Sequence, residues 1–200
     1  ELCKLMFNRY DEIEADMIWA EWEKWAKRST KPSRGLAFLW STRWLHHYPE
    51  LYALTRLHQE PKWHPEGSAW QHTKHVVDRM NDICNRDFIV GDEKIVHMFG
   101  ALLHDVGKAV TTTVNSDGEI VSPGHDEAGV EIAHSFMERI HMPMRYRNPI
   151  ADMVRYHMRH INNPTAKAAR RLASKLGSIG RDGWLRIVEA DFSGRPPLPQ

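Results

Sequence analysis

Residues 101–108 read ALLHDVGK, which places an adjacent histidine and aspartate, His104 and Asp105, at the end of an apolar helix. Burying an imidazole and a carboxylate at such a point is costly unless something compensates for it. A divalent cation compensates for both at once, because two side chains that diverge by one helical step of about 100° can lean toward one ion. A His-Asp dipeptide is common by chance, so this interpretation depends on partners elsewhere in the chain.

Such partners are present on other predicted helices. His72 lies on the helix before, on the same face as Val76 and Met80, and Asp191 lies near the end of the last helix. Imidazole nitrogens combined with carboxylate oxygens suit Mn, Fe, Co, Ni or Zn better than Ca, and they leave positions open for water and substrate. Any one of these residues, taken alone, is more simply explained as a hydrogen-bonded core or surface residue. Together, and in this order along the chain, they predict a divalent metal site formed by His72, His104, Asp105 and Asp191.

Two further histidines extend the predicted site. His125 opens a helix after Pro123 and Gly124, and His157 falls on an apolar helix face that includes Val154. With them, six ligands are available, and six ligands can hold two metal ions a few ångströms apart. The alternative is that His125 and His157 contact the substrate phosphate instead, so the sequence leaves one or two ions open.

Other residues are candidates for contact with a substrate. Asp105 is predicted to accept a proton from water, and Lys108, one helical turn from His104, to offset charge on phosphoryl oxygens. Lys108 is alternatively a cation at a helix C-terminus. Arg195 is either a second phosphate clamp or an ordinary tail residue. His64, in the loop at residues 60–67, is a candidate to line the cleft, and His75, one helical turn from His72, is a candidate to support the metal ligands or contact substrate. The alternative for each is an ordinary core or surface histidine.

Hydrophobic periodicity predicts helices through most of the chain. These cover residues 11–28, 36–44, 49–57, 68–85, 91–107, 125–140, 144–160, 165–176 and 181–192. Trp19, Trp22 and Trp25 recur at a helical spacing, which indicates a packing stripe. The TTTV and EIV segments flank a turn sequence at residues 115–118, so one small hairpin is expected within residues 111–122. Residues 194–200 form a non-helical tail. The predicted fold class is all-α with one short β-hairpin.

Charge is distributed unevenly. The 200-residue chain has a net charge of +1, yet residues 145–186 carry ten Lys or Arg against two Asp, a local charge of +8. Such a stretch is either a solvated basic face or a surface that attracts a phosphate-rich partner such as RNA. Two distant cysteines, Cys3 and Cys84, indicate free thiols in a reducing compartment. No membrane-spanning apolar run and no leader pattern is present, so we expect a cytoplasmic protein without a membrane partner.

The ordered ligands resemble those of the HD phosphohydrolase superfamily. The segments KWHPEGSAWQHT, ALLHDVGKAVTT, SPGHDEAG and VEADFSGRPPLP are similar to the C-terminal half of bacterial CCA-adding enzymes, which are tRNA nucleotidyltransferases with an HD domain. PSRGLAFLWSTRWLHHYPEL resembles their helical neck and body. The resemblance covers nearly the whole chain. It implies an HD-domain helical bundle, with a neck- and body-like region over residues 1–60 and the HD domain over residues 61–200.

One departure from that family matters. We find no Gly-Ser loop followed by paired catalytic aspartates, so the nucleotidyltransferase head has no counterpart, and we expect that the chain does not add nucleotides by itself. The sequence also begins without Met. The chain is therefore expected to be either a stand-alone HD protein or a piece of a longer one.

The resemblance implies a metal-dependent phosphatase and 2′,3′-cyclic phosphodiesterase that acts on the phosphate of a nucleotide or a tRNA 3′-end. Two alternatives remain open. One is a nucleotidase on free mononucleotides, which the same ligand set permits. The other is an RNA-binding body domain without catalytic activity, which the basic stretch favours.

Overall fold

Helices account for most of the regular structure in the computed structural model, which describes residues 6–159 and 165–197. The α-helices are α1 (Ala15–Arg28), α2 (Pro32–Ser41), α3 (Pro49–Tyr52), α4 (Ala69–Arg86), α5 (Gly91–Leu103), α6 (Lys108–Thr111), α7 (His125–Arg139), α8 (Met144–Tyr156), α9 (Ala166–Lys175) and α10 (Gly180–Ser193). Short 3-10 helices cover Phe7–Glu12, Trp44–His47, Ala53–Arg56 and Gly177–Ile179. Strands β1 (Thr113–Val114) and β2 (Ile120–Val121) pair antiparallel. The predicted fold class, all-α with one short hairpin, is confirmed.

Helix α5 lies at the centre of the core and packs against α1, α4, α8 and α10. Its Phe99 side chain is fully buried and contacts the predicted tryptophan stripe. The ring centroids of Trp19, Trp22 and Trp25 lie 6.0, 6.0 and 5.6 Å from that of Phe99. The packing interpretation of the stripe is therefore confirmed, and these aromatic contacts attach α1 to the bundle that carries the histidines.

The predicted helix over residues 91–107 ends earlier than expected. Helix α5 stops at Leu103, and the backbone then makes tighter bonds, from Val106 N to Leu103 O (3.1 Å) and from Lys108 N to Asp105 O (3.0 Å). These i to i+3 bonds tighten the chain, so a turn, rather than a regular helix, presents His104 and Asp105. A turn therefore holds His104 and Asp105, and their two side chains still lie close together.

Gly107 explains why the chain turns there. A Cβ at this position would overlap the carbonyl oxygen of His125 and would come 2.6 Å from the amide nitrogen of Gly129. The backbone before α6 therefore lies directly against the first turns of α7, which only a residue without a side chain permits. This contact brings the His104–Asp105 turn next to the N-terminus of α7.

Local sequence signals place the remaining elements near that turn. Ser68 caps α4 by accepting a hydrogen bond from the amide of Gln71 at 3.2 Å, as its residue type predicts. Asn115 stabilises the hairpin turn, because its side-chain oxygen accepts from the amides of Asp117 and Glu119. The amide of Ile120 donates to Glu60 at 3.1 Å. That bond attaches the hairpin to the loop before α4, and both segments line one cleft.

Some expectations lie beyond the described residues. The predicted last residue of the helix over 144–160, the last three residues of the tail, and Cys3 are outside the described ranges. Cys84 lies in α4 and is a buried free thiol, as the sequence predicted. Across residues 6–159 and 165–197, no helix has the length and apolar character needed to span a bilayer.

Candidate metal centre

Three helix ends bring the four predicted ligands together. His72 lies in the first turn of α4, His104 and Asp105 follow α5, and Asp191 lies in the last turn of α10. Nε2 of His72 is 2.9 Å from Oδ1 of Asp191, and Nε2 of His104 is 4.0 Å from the same oxygen. Nε2 of His104 is 3.3 Å from Oδ2 of Asp105. All four side chains are buried, so they form one compact group of nitrogen and oxygen atoms.

The two additional histidines meet the other oxygen of Asp105. Nε2 of His125, at the start of α7, lies 3.2 Å from Oδ1 of Asp105, and Nε2 of His157, just after α8, lies 3.7 Å from it. The ligand atoms of His72, His104 and Asp191 form one group, and those of Asp105, His125 and His157 form a second. The Asp105 carboxylate contacts both groups, one through each oxygen.

Backbone hydrogen bonds set the orientation of three of these rings. Nδ1 of His104, His125 and His157 donates to the carbonyl oxygen three residues earlier, at 2.9, 2.8 and 2.7 Å respectively. The proton on Nδ1 leaves the Nε2 lone pair of a neutral ring directed at the centre. Fixing the tautomer in this way is characteristic of histidines that bind metal ions.

Two Nε2 lone pairs that face each other repel unless a positive charge lies between them. Nε2 of His125 and Nε2 of His157 lie 3.1 Å apart, although both rings already use their Nδ1 protons elsewhere. Burial lowers the pKa of His157, which keeps that ring neutral. Burial also opposes a proton on His125, but the hydrogen bond to Asp105 outweighs it and raises its pKa. A cation can take the place of the proton that otherwise separates these two nitrogens.

The group formed by His72, His104 and Asp191 also requires a positive charge among its ligand atoms. Burial disfavours a proton on His72, but hydrogen bonds with Asp191 and Glu66 outweigh burial and raise its pKa. Nε2 of His104 is buried and has no hydrogen-bond partner among the described residues. A buried nitrogen without a partner is costly unless an ion or another ligand occupies its lone pair. The residues therefore fit a divalent cation at this group.

Both aspartates are suited to bind a cation because they remain ionised. Burial favours the neutral carboxyl in each case, but hydrogen bonds and electrostatic interactions with neighbouring side chains outweigh it. His72 and His104 lower the pKa of Asp191, and His104 and Lys108 lower the pKa of Asp105 well below its ordinary value. Two carboxylates and four imidazoles are the hard and borderline donors that Mn, Fe, Co, Ni and Zn accept.

Glu66 is a residue that the sequence analysis missed. Its side chain is only 1% exposed, and its Oε1 lies 2.8 Å from Nδ1 of His72 and 2.9 Å from Nδ1 of His64. Hydrogen bonds from these histidines outweigh burial and lower the pKa of Glu66. A carboxylate behind a metal-binding imidazole orients the ring and increases its basicity. The signal in the sequence was a glutamate two residues after His64, in the quoted WHPEG segment.

A cleft of about 370 Å³ opens above the second group. Lys108 lines it and lies 2.7 Å from both Oδ2 of Asp105 and Oε1 of Gln59. Arg195 lines it as well, and its Nη2 lies 3.2 Å from Oδ1 of Asp191. His64 is in the cleft wall, as the sequence predicted. The cleft thus carries two cationic side chains beside the buried carboxylates.

The structure places His75 outside this cleft. Nδ1 of His75 lies 3.2 Å from the carbonyl oxygen of Gly194, and Nε2 lies 2.9 Å from Nε2 of Gln71. The side chain lines a separate depression that also includes Lys31 and Asp78. The physical reason is the pitch of the helix, since a residue three positions after His72 is rotated by about 60° around α4.

Comparison with known proteins agrees with this geometry. The family model described as "HD domain" matches residues 69–184. The chain is similar to the Multifunctional CCA protein of Halorhodospira halophila, with 32% identity over 160 residues, which cover 78% of this chain and 36% of the relative. The Multifunctional CCA protein of Xanthomonas campestris pv. campestris is 30% identical over 149 residues, covering 74% of this chain and 34% of the relative.

The chain therefore spans about a third of the length of the curated relatives it matches. The HD domain model, in contrast, covers more than half of the chain and includes five of the six residues that converge at the centre. The chain belongs to the HD domain family, a family of metal-dependent phosphohydrolases.

Proposed function

We propose that this chain hydrolyses phosphate esters at a divalent metal centre formed by His72, His104, Asp105 and Asp191, with His125 and His157 as ligands of a second ion. The preferred substrate is a 2′,3′-cyclic phosphate or a phosphate monoester at the end of a nucleotide or a tRNA. The observation that carries the proposal is the convergence of ionised carboxylates and inward-facing Nε2 atoms at one buried point.

The residues of the cleft have distinct roles in this proposal. A bound divalent cation supplies the positive charge that polarises water and stabilises negative charge on phosphoryl oxygens. Asp105, which stays ionised, accepts a proton from water. Lys108 and Arg195 hold the phosphoryl oxygens, because cations directed at developing charge are the main electrostatic contribution in phosphate chemistry. Both cations line the cleft and lie against ligand carboxylates, which supports this role.

Two observations support the finer choice of substrate. The curated relatives carry the name Multifunctional CCA protein, and the motifs of this chain resemble an RNA-processing family. A 3′-terminal ribose of RNA carries the vicinal hydroxyls from which a 2′,3′-cyclic phosphate forms. We infer that the cleft accepts such an end, and that a cytoplasmic pool of tRNA or nucleotide supplies it.

A second candidate function is tRNA binding without catalysis. Helix α9 has four exposed cations, Lys167, Arg170, Arg171 and Lys175, within ten residues. Cationic side chains on one helix attract the phosphates of nucleic acids, and such binding weakens steeply with salt. Strong, salt-sensitive tRNA binding combined with no hydrolysis under any divalent metal would select this function instead.

The direct test is hydrolysis of 2′,3′-cyclic AMP by the purified chain with Mn, Ni, Co, Zn and Mg tested separately. We expect metal-dependent turnover that a chelator abolishes and that His104→Asn abolishes as well. The matched control is His97→Asn, because His97 is also buried and also donates Nδ1 to a backbone carbonyl, that of Glu93. This control is expected to keep its turnover.

Absence of hydrolysis with every metal would contradict the proposed phosphodiesterase activity. If free mononucleotides were hydrolysed in its place, and added tRNA did not inhibit that reaction, the chain would be a nucleotidase. Inhibition by tRNA would instead support an enzyme of RNA ends.

Replacement of Glu66 by Gln is expected to weaken metal binding. The amide cannot carry the negative charge that orients His72, and loss of such a partner typically reduces metal affinity by about 10–100-fold. Calorimetric titration with Mn²⁺ or Co²⁺ measures the change. Glu50→Gln is the control, because Glu50 is a buried carboxylate that pairs with Arg139, away from the histidines. That variant should melt at a lower temperature yet bind metal normally, and equal affinities for both variants would show that Glu66 has no part in the centre.

A further inference from the structure

The outer part of the metal-centre cleft is apolar and aromatic. Its charged floor includes Asp105, Lys108 and Arg195. Its more exposed rim includes Trp63, Ile120, Val121, Pro123 and Met158, with Glu60 and Ser122 among them. Trp63 is 59% exposed, the highest fraction among the eight tryptophans of the chain. A single exposed apolar residue needs no explanation, but a group of them around a charged floor indicates a binding surface.

The Trp63 backbone is fixed, although its ring is open to solvent. The amide of Trp63 donates to the carbonyl oxygen of Glu60 at 3.0 Å, and the amide of His64 donates to the same oxygen at 2.9 Å. The Glu60 side chain accepts from the amide of Ile120 in β2. The loop is therefore attached to the hairpin, and a backbone turn holds the tryptophan at the rim.

Gln59 supplies an independent observation. Its side chain is more than nine-tenths buried, it lines the cleft, and its Oε1 accepts a hydrogen bond from Lys108. Because lysine only donates, the amide orientation is fixed and Nε2 faces elsewhere. That nitrogen is buried and has no acceptor within the described part of the chain. Leaving such a donor unpaired is costly, and because Gln59 lines the cleft, we assign an oxygen of a bound ligand as its acceptor.

We propose that residues 59–64 form a nucleotide subsite, in which Trp63 stacks on the base and Gln59 Nε2 donates to a ribose or phosphate oxygen. This inference rests on the proposed phosphohydrolase function and adds the residues that select its substrate. A nucleotide has the same distribution of polarity as the cleft, with a charged phosphate at one end and a planar base at the other. The cleft volume of about 370 Å³ is within the range of small-molecule sites.

Stacking on an aromatic ring accepts every base, because each base has a π-face. The subsite should therefore distinguish nucleotides from base-free phosphate esters, but should distinguish poorly among the four bases. Lys62, whose ammonium lies 5.0 Å from the centroid of the Trp63 ring, adds positive charge near the same surface.

The test compares the wild type with Trp63→Leu and Trp63→Phe, with Trp40→Leu as the matched control. Trp40 is 46% exposed and does not line the cleft. KM and kcat are measured for 2′,3′-cyclic AMP and for methyl riboside 2′,3′-cyclic phosphate, which has no base. We expect Trp63→Leu to raise KM for the nucleotide about tenfold to a hundredfold with kcat little changed. The base-free ester should be unaffected, Trp63→Phe should recover most of the affinity, and Trp40→Leu should match the wild type.

Equal changes in KM for both esters, or no change for either, would overturn the subsite. Failure of the proposed function is distinguishable from this result, because AMP binding can be measured by calorimetry without turnover. If the wild type hydrolyses neither ester, loss of AMP binding in Trp63→Leu and in Gln59→Leu still supports the subsite. Unchanged AMP affinity in both variants rejects it.

Discussion

Replacement of Asp105 by Asn is expected to abolish metal-dependent phosphate ester hydrolysis. Asp105 is the residue whose two oxygens contact both groups of donors, with Nε2 of His104 at 3.3 Å and Nε2 of His125 at 3.2 Å. The amide is nearly the same size, but it has no charge and one of its two polar atoms is a donor. Loss of an outer partner of a ligand costs about 10–100-fold, so loss of this central carboxylate should cost more than a hundredfold.

The measurement is kcat/KM with the most active metal, together with a thermal melt of each variant. Asp152→Asn is the control, since Asp152 is a partly buried aspartate on α8 whose nearest cation is Arg155. It should retain activity. If the Asp105 variant melts cooperatively and turns over substrate like the wild type, Asp105 has no role in the chemistry.

Replacement of Gly107 by Ala is expected to give the largest loss of stability. The added methyl group would meet backbone atoms of His125 and Gly129, which cannot move aside as a flexible side chain would. Overpacking of this kind costs about 3 kcal/mol or more. For a chain of this length the melting temperature should fall by about 6–12 °C, as measured by calorimetry. Displacement of α7 would also move His125, so metal affinity should decrease in the same variant.

Gly183→Ala provides the comparison. A Cβ there would come no closer than 3.4 Å to Ile179 and to Met153, which is ordinary contact. Because alanine favours helix more than glycine, this variant should be as stable as the wild type or gain about 0.5–1 kcal/mol. A Gly107→Ala variant as stable as Gly183→Ala would mean that the close approach of α6 and α7 does not hold the site together.

Local signals allowed much of the fold to be predicted. The Ser68 cap and the turn at residues 115–118 depend on neighbours in the sequence, and both are present. The end of α5 at Leu103 could not be predicted in this way. It follows from the contact of Gly107 with α7, a long-range packing constraint that leaves no periodic pattern in the sequence.

In the candidate site, too, some residues could be predicted from the sequence, whereas those that depend on contacts with distant residues could not. The six metal-ligand candidates converge as their order and residue types suggested, because polar residues at helix ends are costly to bury alone. Glu66 and Gln59 were missed because both lie in a loop, and their roles depend on His72 and Lys108 elsewhere in the chain. His75 was a candidate because it lies one helical turn from His72 along the chain, whereas its direction on α4 decides its contacts.

We propose that the buried histidines and aspartates hold a divalent cation. The most direct measurement is an anomalous difference map from a crystal of the chain soaked in Mn²⁺ and recorded at the manganese absorption edge. We expect a peak within bonding distance of His72 Nε2, His104 Nε2 and the Asp191 carboxylate, with a second peak near His125 and His157 if two ions bind. A map with no peak at these atoms, despite full soaking, would contradict it.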